Sequence, residues 1–495
     1  LAERFVEIPA VRNALLKGEA KALKETGIDL DRIESIRARG LNPQQGLYVF
    51  LPATADRGCL VTAVLDRDAA DVFVRELLRK VTAKGLTFRE ARAQGLTLTE
   101  VLEEGQTQAE LAYVHHRKSL LVCASEKTVN LADYVATVAQ AKPEQGLLGR
   151  ADFQAARVGI GNAQFWAYIE ASVARKWLID SNDDKSSDFT STLAEELQGR
   201  KAFAAGLDVS GQAATLRVFL HGTQARAAED RALWSGQGPA PDFVQFLPLS
   251  GNILLIKASA NIPVLTEHLM QEGGGFLGRV KLEENLAAVN QKLGFDLRKD
   301  ILALLAGRFL IGFDKLGFGL DEARKAEDPM AVVPKLPAYL LAQVNDRGKA
   351  AGLLASIERR LRESEIPVDV SGTTEPIYTV SPNGRPLLSF GLLKDVLVVS
   401  TADHFPKLLE YSRAEPTDRA EIGSGRVSSH LRTADSEVLY VDLVQTAALL
   451  HAVTLLKPDK EIDEILPVLD KLRDVAILSQ GHEDGSSFEF QVRLR

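Results

Sequence analysis

Apolar and polar residues alternate in many short stretches of this chain, and turn sequences separate these stretches. In 488–494, for example, Phe488, Phe490 and Val492 alternate with polar residues, which predicts a strand with one buried apolar face. Consecutive strands joined by short turns pair antiparallel. Helical patterns lie between several of the strands. The alternation therefore predicts an α+β fold, in which helices cover one side of an antiparallel sheet.

The same order of elements occurs twice along the chain. In each copy a Gly-x-Asp-Leu stretch precedes an amphipathic helical pattern that ends at a second glycine; these stretches run from Gly27 to Gly40 and from Gly294 to Gly307. Asp29 and Asp296 are predicted to cap these helices. The matching strands are 47–51 and 309–313, 60–67 and 339–347, 98–102 and 377–380, 109–114 and 387–390, 118–125 and 394–401, 166–170 and 438–442, and the hairpins 204–220 and 475–494.

We therefore expect two tandem homologous units, 1–222 and 243–495, joined by a linker at 223–242. The linker assignment rests on the turn-rich run 235–241, which has no visible period. The second unit opens with Leu-Pro and an apolar strand at 252–258, and no counterpart precedes the helices of the first unit. The first unit is thus expected to lack its opening strand or to take one from elsewhere.

This pattern of Leu-Pro and strand, Gly-x-Asp-Leu helix, Asp-Arg helix and Lys-x-x-Leu-Val-Val strand resembles a bacterial family known as domain of unknown function 3352. The resemblance covers most of the chain. It implies an extracytoplasmic protein of the periplasm or outer surface, because members of that family typically carry an N-terminal signal or a membrane or lipoprotein anchor. It supplies no catalytic residues.

Length and charge limit the classes of function. A chain of 495 residues is expected to form two or three domains. The net charge of −8 argues against a nucleic-acid partner, which would need a basic face. We find no apolar run of the roughly 18 residues that a membrane span requires. The chain begins at Leu1 without methionine, which favours a processed N-terminus whose membrane or lipid anchor is absent from this chain.

Both cysteines, Cys59 and Cys123, lie inside apolar runs. Burial as two free thiols is the favoured interpretation, since free cysteine is among the most buried residue types. A disulfide between neighbouring strands is the alternative.

Candidate catalytic and ligand-binding motifs fail on their spacing. The acidic run 180–184 resembles a calcium loop, but Lys185 replaces the required glycine and Ser191 replaces the final glutamate. The element Ser250-Gly-Asn252 lacks the activating lysine motif of penicillin-binding enzymes. Histidines, including His115 and His116, show no metal-ligand spacing. We therefore predict a non-enzymatic protein without a catalytic, cofactor or metal site.

The connection 312–337 is the best candidate for a binding segment, because it is much longer than its counterpart after residue 51. Its apolar and basic residues Lys315, Leu316, Phe318 and Leu320 are the predicted contacts. The favoured function is that of a cell-envelope binding or scaffolding protein with a protein partner. The alternatives are a carrier of a lipid or other apolar ligand held between sheet and helices, and a hydrolase whose site the sequence does not reveal.

Overall fold

The structure is a computed structural model. It describes residues 33–45, 47–50, 57–81, 85–125, 130–142, 146, 149–180, 197–210, 212–248, 251–264, 296–316, 333–413, 422–456 and 460–495. The chain divides into two compact units, 2–154 and 155–495. Among the described helices, none combines the length and the apolarity needed to cross a bilayer.

The unit 2–154 contains one antiparallel sheet of six strands, in the order β1-β2-β6-β5-β4-β3. Its described elements are α1 (Ile33–Ala38), β1 (Leu47–Phe50), β2 (Arg57–Ala63), α2 (Arg67–Val81), β3 (Leu86–Ala93), β4 (Leu96–Glu103), β5 (Leu111–His116), β6 (Ser119–Ser125), α3 (Leu131–Gln140) and the start of α4 (Ala151–Ile160).

Helices cover both faces of this six-stranded sheet. On one face, Phe73 and Val74 of α2 pack against Tyr113. On the other, Leu131 and Val135 of α3 pack against Val114. The expectation that helices cover a single side is therefore wrong for this sheet. The physical reason is that β5 and β6 are apolar at successive positions, so both of their faces need cover.

A disulfide joins Cys59 of β2 to Cys123 of β6. The two residues lie directly opposite one another in the ladder, and both are buried in the cluster beneath α3. The predicted burial is confirmed. The favoured interpretation as free thiols is wrong, because antiparallel register brings the two side chains together.

The unit 155–495 contains an antiparallel sheet of thirteen strands, in the order β13-β14-β15-β16-β12-β11-β10-β17-β18-β19-β9-β8-β7. The strands are β7 (Phe165–Glu170), β8 (Arg200–Ser210), β9 (Ala213–Gly222), β10 (Asn252–Ser259), β11 (Leu305–Asp314), β12 (Ala338–Val344), β13 (Val368–Ser371), β14 (Ile377–Val380), β15 (Leu388–Leu393), β16 (Val396–Thr401), β17 (Ser436–Asp442), β18 (Leu472–His482) and β19 (Gly485–Leu494).

Short helices surround this sheet. They are α5 (Ala171–Asp180), α6 (Gln224–Trp234), α7 (Arg347–Glu363), α8 (Phe405–Arg413), α9 (Gly425–Arg432), α10 (Leu443–Leu456) and α11 (Lys460–Leu469), with a π-helix at Leu297–Ile301 and 3-10 turns at Phe243–Phe246, Leu302–Leu304, Val333–Lys335 and Pro382–Gly384. The predicted antiparallel α+β architecture is confirmed. Asp296 caps as predicted, because its Oδ1 accepts from the Lys299 N–H. Asp29 lies outside the described residues.

The two sheets share a strand order. The order β1-β2-β6-β5-β4-β3 in the first sheet is repeated as β11-β12-β16-β15-β14-β13 in the second. Strands β3 and β13 were not predicted; both contain charged residues, such as Arg89 and Glu90 in β3 and Asp369 in β13. In the larger sheet, β10 lies between β11 and β17. In the described part of the unit 2–154, β1 is an edge strand, and no counterpart of β10 pairs with its free edge.

The expected linker 223–242 lies within the compact unit 155–495. The hairpin of β8 and β9 belongs to the larger sheet, because β9 pairs with β19 along its length. Residues 224–234 form helix α6, which packs against β9, β18 and β19. Thr223 caps this helix by accepting the Arg226 N–H. Sheet pairing therefore places the close of the predicted first unit inside the larger compact unit.

The main core lies on one face of the thirteen-stranded sheet, which we call the inner face. Leu255 of β10, Leu310 of β11 and Leu478 of β18 project from it into a cluster that includes Phe405 of α8 and Leu431 of α9. The inner face is thereby covered by helices over its central strands. We call the opposite face the outer face. Its side chains are buried at one end of the sheet and exposed at the other.

Candidate functional site

One row of apolar side chains crosses the outer face through all thirteen strands. Each residue of the row is the direct ladder partner of the next. Paired residues in an antiparallel sheet point to the same side. The row is Phe165, Leu207, Leu216, Phe490, Ile477, Leu439, Ile256, Ile311, Leu340, Val399, Phe390, Tyr378 and Val370.

A second row runs two residues further along the strands and is also apolar. It consists of Val209, Ala214, Val492, Val475, Val441, Leu254 and Phe313. Eight neighbouring strands of the sheet, in the order β7-β8-β9-β19-β18-β17-β10-β11, span about 34 Å at the usual spacing of neighbouring strands. We call their outer surface the open face. Its width matches the length of one helix of about 20 residues at 1.5 Å per residue.

Large side chains of the open face are exposed to solvent. The seven residues Phe165, Leu207, Leu216, Phe490, Ile477, Leu439 and Ile311 have exposed fractions between 37% and 67%. Isolated exposed apolar residues are normal on a protein surface, whereas a contiguous patch marks an interaction site. The open face is such a patch.

Strand β19 shows the feature most clearly, because its exposure is the reverse of the prediction. Phe488 and Phe490 were expected to be buried, but they are 39% and 41% exposed. Glu489 and Gln491 were expected to face solvent, but each is only 7% exposed. The strand does have an apolar side and a polar side, but the prediction that the apolar side faces the core is wrong.

Specific partners on the inner face hold these polar residues. The Glu489 carboxylate accepts from Arg217 Nε of β9 at 3.2 Å and also from Arg426 of α9. The Gln491 side chain accepts from the Ser424 hydroxyl at 2.8 Å. Buried polar groups require such partners. These bonds fix which side of β19 faces inward, and they leave its phenylalanines on the open face.

The same apolar row is covered at its other end. Helix α7 packs Ala350, Leu354, Ile357 and Leu361 over the outer face of β12 to β16, in contact with the cluster of Tyr378, Phe390 and Val399. We call this part the covered face. The α7 residues have spacings of four, three and four, which place them on one side of a helix. An amphipathic helix is therefore the element with which this chain covers its own row.

A third row of the open face lies on the other side of the first one and consists of Ala205, Val218, Phe488, Ser479 and Glu437. Among the described residues of these three rows, Glu437 is the one with an ionisable side chain. Its side chain is half-buried, and burial raises the pKa of its carboxyl above the usual range, while a hydrogen bond with Ser479 opposes that shift. A carboxyl group thus lies between apolar neighbours.

Two of the predicted contact residues, Lys315 and Leu316, follow directly after β11. Lys315 is exposed, and its backbone N–H donates to the Gly251 carbonyl at 2.6 Å. Leu316 is half-buried. Phe318 and Leu320 lie outside the described residues, as does most of the acidic run 180–184. Their binding role stays a prediction.

A buried polar cluster lies directly before this segment. Asp314 and His404 are each 5% exposed, and their Oδ2 and Nε2 atoms lie 3.1 Å apart. The Tyr339 hydroxyl lies 3.2 Å from both Asp314 Oδ1 and Asn252 Oδ1. Burial raises the pKa of Asp314, with hydrogen bonding to His404 and Tyr339 acting against it. Because the cluster is enclosed, its groups bond to one another and present no surface to a substrate.

Other candidate groups have structural partners. Lys257 is buried, and its Nζ donates to the carbonyls of His430 and Thr433 and to the Ser436 hydroxyl at the end of α9. Burial lowers the pKa of Lys257 to about 8. Ser424 caps α9 through the Val427 N–H. Within the described ranges, no group of three His, Cys, Asp or Glu residues is arranged to hold a metal ion.

A signal for the open face was present in the sequence. Runs such as Ile253 to Ile256 and Val475 to Leu478 are apolar at every position. Such runs are typical of strands that are buried on both faces. They indicate that the outer face is apolar enough to be buried, and helix α7 buries it at one end.

Comparison with known proteins adds no relative to this chain. No protein-family model, no curated protein and no solved structure matches it. The functional argument therefore rests on the open face and its chemistry.

Proposed function

We propose that this protein is a non-catalytic binding or scaffolding protein, and that its open face docks an amphipathic helix of a protein partner. The exposure of Phe488 and Phe490 beside the buried Glu489 carries the proposal. A strand that buries its polar residues and exposes its aromatic ones gains no stability from that exposure in water. Contact with a partner would bury the aromatic side chains and account for their position.

The choice of a helix follows from the covered face. The row that α7 covers is continuous with the row that is open. Helix α2 covers the corresponding face of the six-stranded sheet, where it packs against Tyr113 of β5. A partner helix with the same apolar stripe would complete this layer across the remaining strands.

The duplication and the location are further parts of the proposal. Two homologous units are supported by the shared strand order of β1 to β6 and β11 to β16. An extracytoplasmic location, as the resemblance to domain of unknown function 3352 implies, is supported by the Cys59–Cys123 disulfide. Disulfides persist in oxidising compartments and are rare in the cytosol of most organisms.

The carrier alternative is weaker than helix docking on one observation. An apolar ligand on the open face would bury Glu437 more deeply, and it would offer the carboxyl group no hydrogen-bond donor in addition to Ser479. Deeper burial of a carboxylate without an opposite charge is costly. The hydrolase alternative is not favoured by the Asp314 cluster, because its members are enclosed.

The proposal is tested with a stapled helical peptide of 18 residues. Its leucines occupy positions i, i+4, i+7 and i+11, which copies the stripe of α7. We expect binding to the wild-type protein, and a loss of at least about tenfold for Leu216→Asp, because a carboxylate would enter the centre of the open face. Fluorescence anisotropy measures the affinity.

Val158→Asp is the matched control. Val158 is 83% exposed on helix α4 and does not belong to the open face. Its substitution should leave peptide affinity unchanged. Equal affinities of the peptide for wild type and Leu216→Asp would contradict docking on this face.

A further inference from the structure

Glu437 of β17 is an acidic residue among the apolar rows of the open face. Leu439, two residues further along β17, belongs to the first row. Its direct partner on β18 is Ser479, and the hydroxyl of Ser479 forms a side-chain hydrogen bond with the carboxyl group. A half-buried acidic group at this place makes the face chemically selective.

The pKa shift of Glu437 has burial and the hydrogen bond with Ser479 as its causes, and no charged group of the described residues contributes to it. On α6, which packs against β18, Arg231 donates to the His482 carbonyl and Arg226 lies 3.3 Å from Asp230. Lys257 of β10 and Asp442 of β17 point to the inner face, where Lys257 bonds to Ser436. Arg473 of β18 shares the outer face but lies six residues from Ser479, which is about 20 Å along a strand. The titratable residue of α10, which packs against β17, is His451, and its Nε2 lies 3.1 Å from Asp470.

We infer that the partner helix carries a lysine or arginine beside its apolar stripe, and that this cation pairs with Glu437. The inference rests on the proposed function, since it specifies the chemistry of the helix that docks on the open face. Docking removes water from Glu437, so an ion pair is needed to keep the carboxylate from being buried alone. The same group disfavours an acyl chain, which brings no charge and no donor.

Three stapled peptides of 18 residues test the charge preference. All have leucine at i, i+4, i+7 and i+11, and they differ at i+8, which is lysine, glutamine or glutamate. We expect the lysine peptide to bind the wild-type protein at least about tenfold more tightly than the glutamate peptide. Lysine attracts the Glu437 carboxylate across the interface, whereas glutamate repels it. Glu437→Lys should reverse this order.

Glu437→Gln is the neutral control and should make the three affinities equal within about threefold. Because Glu437 is half-buried and has no buried salt bridge, both variants are expected to fold. Circular dichroism and the unfolding midpoint verify this before binding is measured.

The pH dependence gives a second readout. Burial raises the pKa of Glu437 in the free protein, and a cation on the partner would lower it. Binding of the lysine peptide should therefore strengthen as pH rises through the raised pKa, and this dependence should be absent in Glu437→Gln. A fluorescent fatty acid of 16 carbons would behave oppositely, because deeper burial of Glu437 disfavours the carboxylate.

The outcomes separate the two claims. Equal binding of the three peptides to the wild type would overturn the inference and leave docking on the open face standing. Binding of the fatty acid in competition with the peptides, weakening as pH rises, would overturn it in favour of an acyl ligand. If no peptide binds, the proposed function itself fails.

Discussion

The covered face and the open face are two parts of one sheet with the same apolar pattern. On the covered face, Phe390 and Val399 lie beneath Leu354 of α7. On the open face, Phe490 and Ile477 occupy the same row and are exposed. Since the residue types are alike, the difference lies in what covers them. Among the described residues, α7 forms a helical layer over the covered face, whereas the corresponding row of the open face is exposed.

The six-stranded sheet extends this comparison, because helices α2 and α3 cover both of its faces. Its disulfide closes a sequence separation of 64 residues. The chain-entropy relation gives a stabilisation of about 4 kcal/mol for a loop of this length. We expect Cys59→Ala/Cys123→Ala to destabilise the unit 2–154 by roughly this amount. Hydrogen exchange should speed up in β2 and β6 and remain unchanged in β17 to β19.

The two faces should respond differently to the loss of a leucine. Leu354→Ala on the covered face removes a buried side chain and is expected to cost about 3 kcal/mol. Leu216→Ala removes a side chain that is 39% exposed and should cost less than about 1 kcal/mol. Urea unfolding measures both. Similar losses for the two variants would mean that the open face is covered in solution.

Strand β19 allows a sharper test, because polar and apolar residues have exchanged their usual places. Glu489→Ala leaves the half-buried Arg217 without its carboxylate and should cost about 2 kcal/mol. Phe490→Ser should cost less than about 1 kcal/mol, since the ring contacts solvent. The reverse order of the two losses in urea unfolding would show that β19 faces the other way.

Much of the fold was predictable from the alternation of residues and from turn sequences. The turn at Asn383 and Gly384 has positive φ values of 56° and 72°, as the Asn-Gly pair predicts. The predicted strands 309–313 and 438–442 lie within β11 and β17, because these strands are strongly apolar. Such local preferences do not depend on distant parts of the chain.

The direction of β19 could not be predicted from the strand itself. It depends on Arg217 and Arg426, which are distant in sequence and meet Glu489 only when β9 and α9 are in place. The disulfide likewise depends on the register of β2 against β6. Alternation reveals two faces, whereas long-range pairing decides which one is buried.

Carbene footprinting tests most directly whether the open face is free in the isolated protein and occupied in its native setting. A photoactivated diazirine should label Leu216, Ile477 and Phe490 strongly in the purified protein. In extracts of the native cells that contain the protein, these positions should be protected, while Val158 stays labelled. Weak labelling in the purified protein, or equal labelling in both preparations, would contradict docking on the open face.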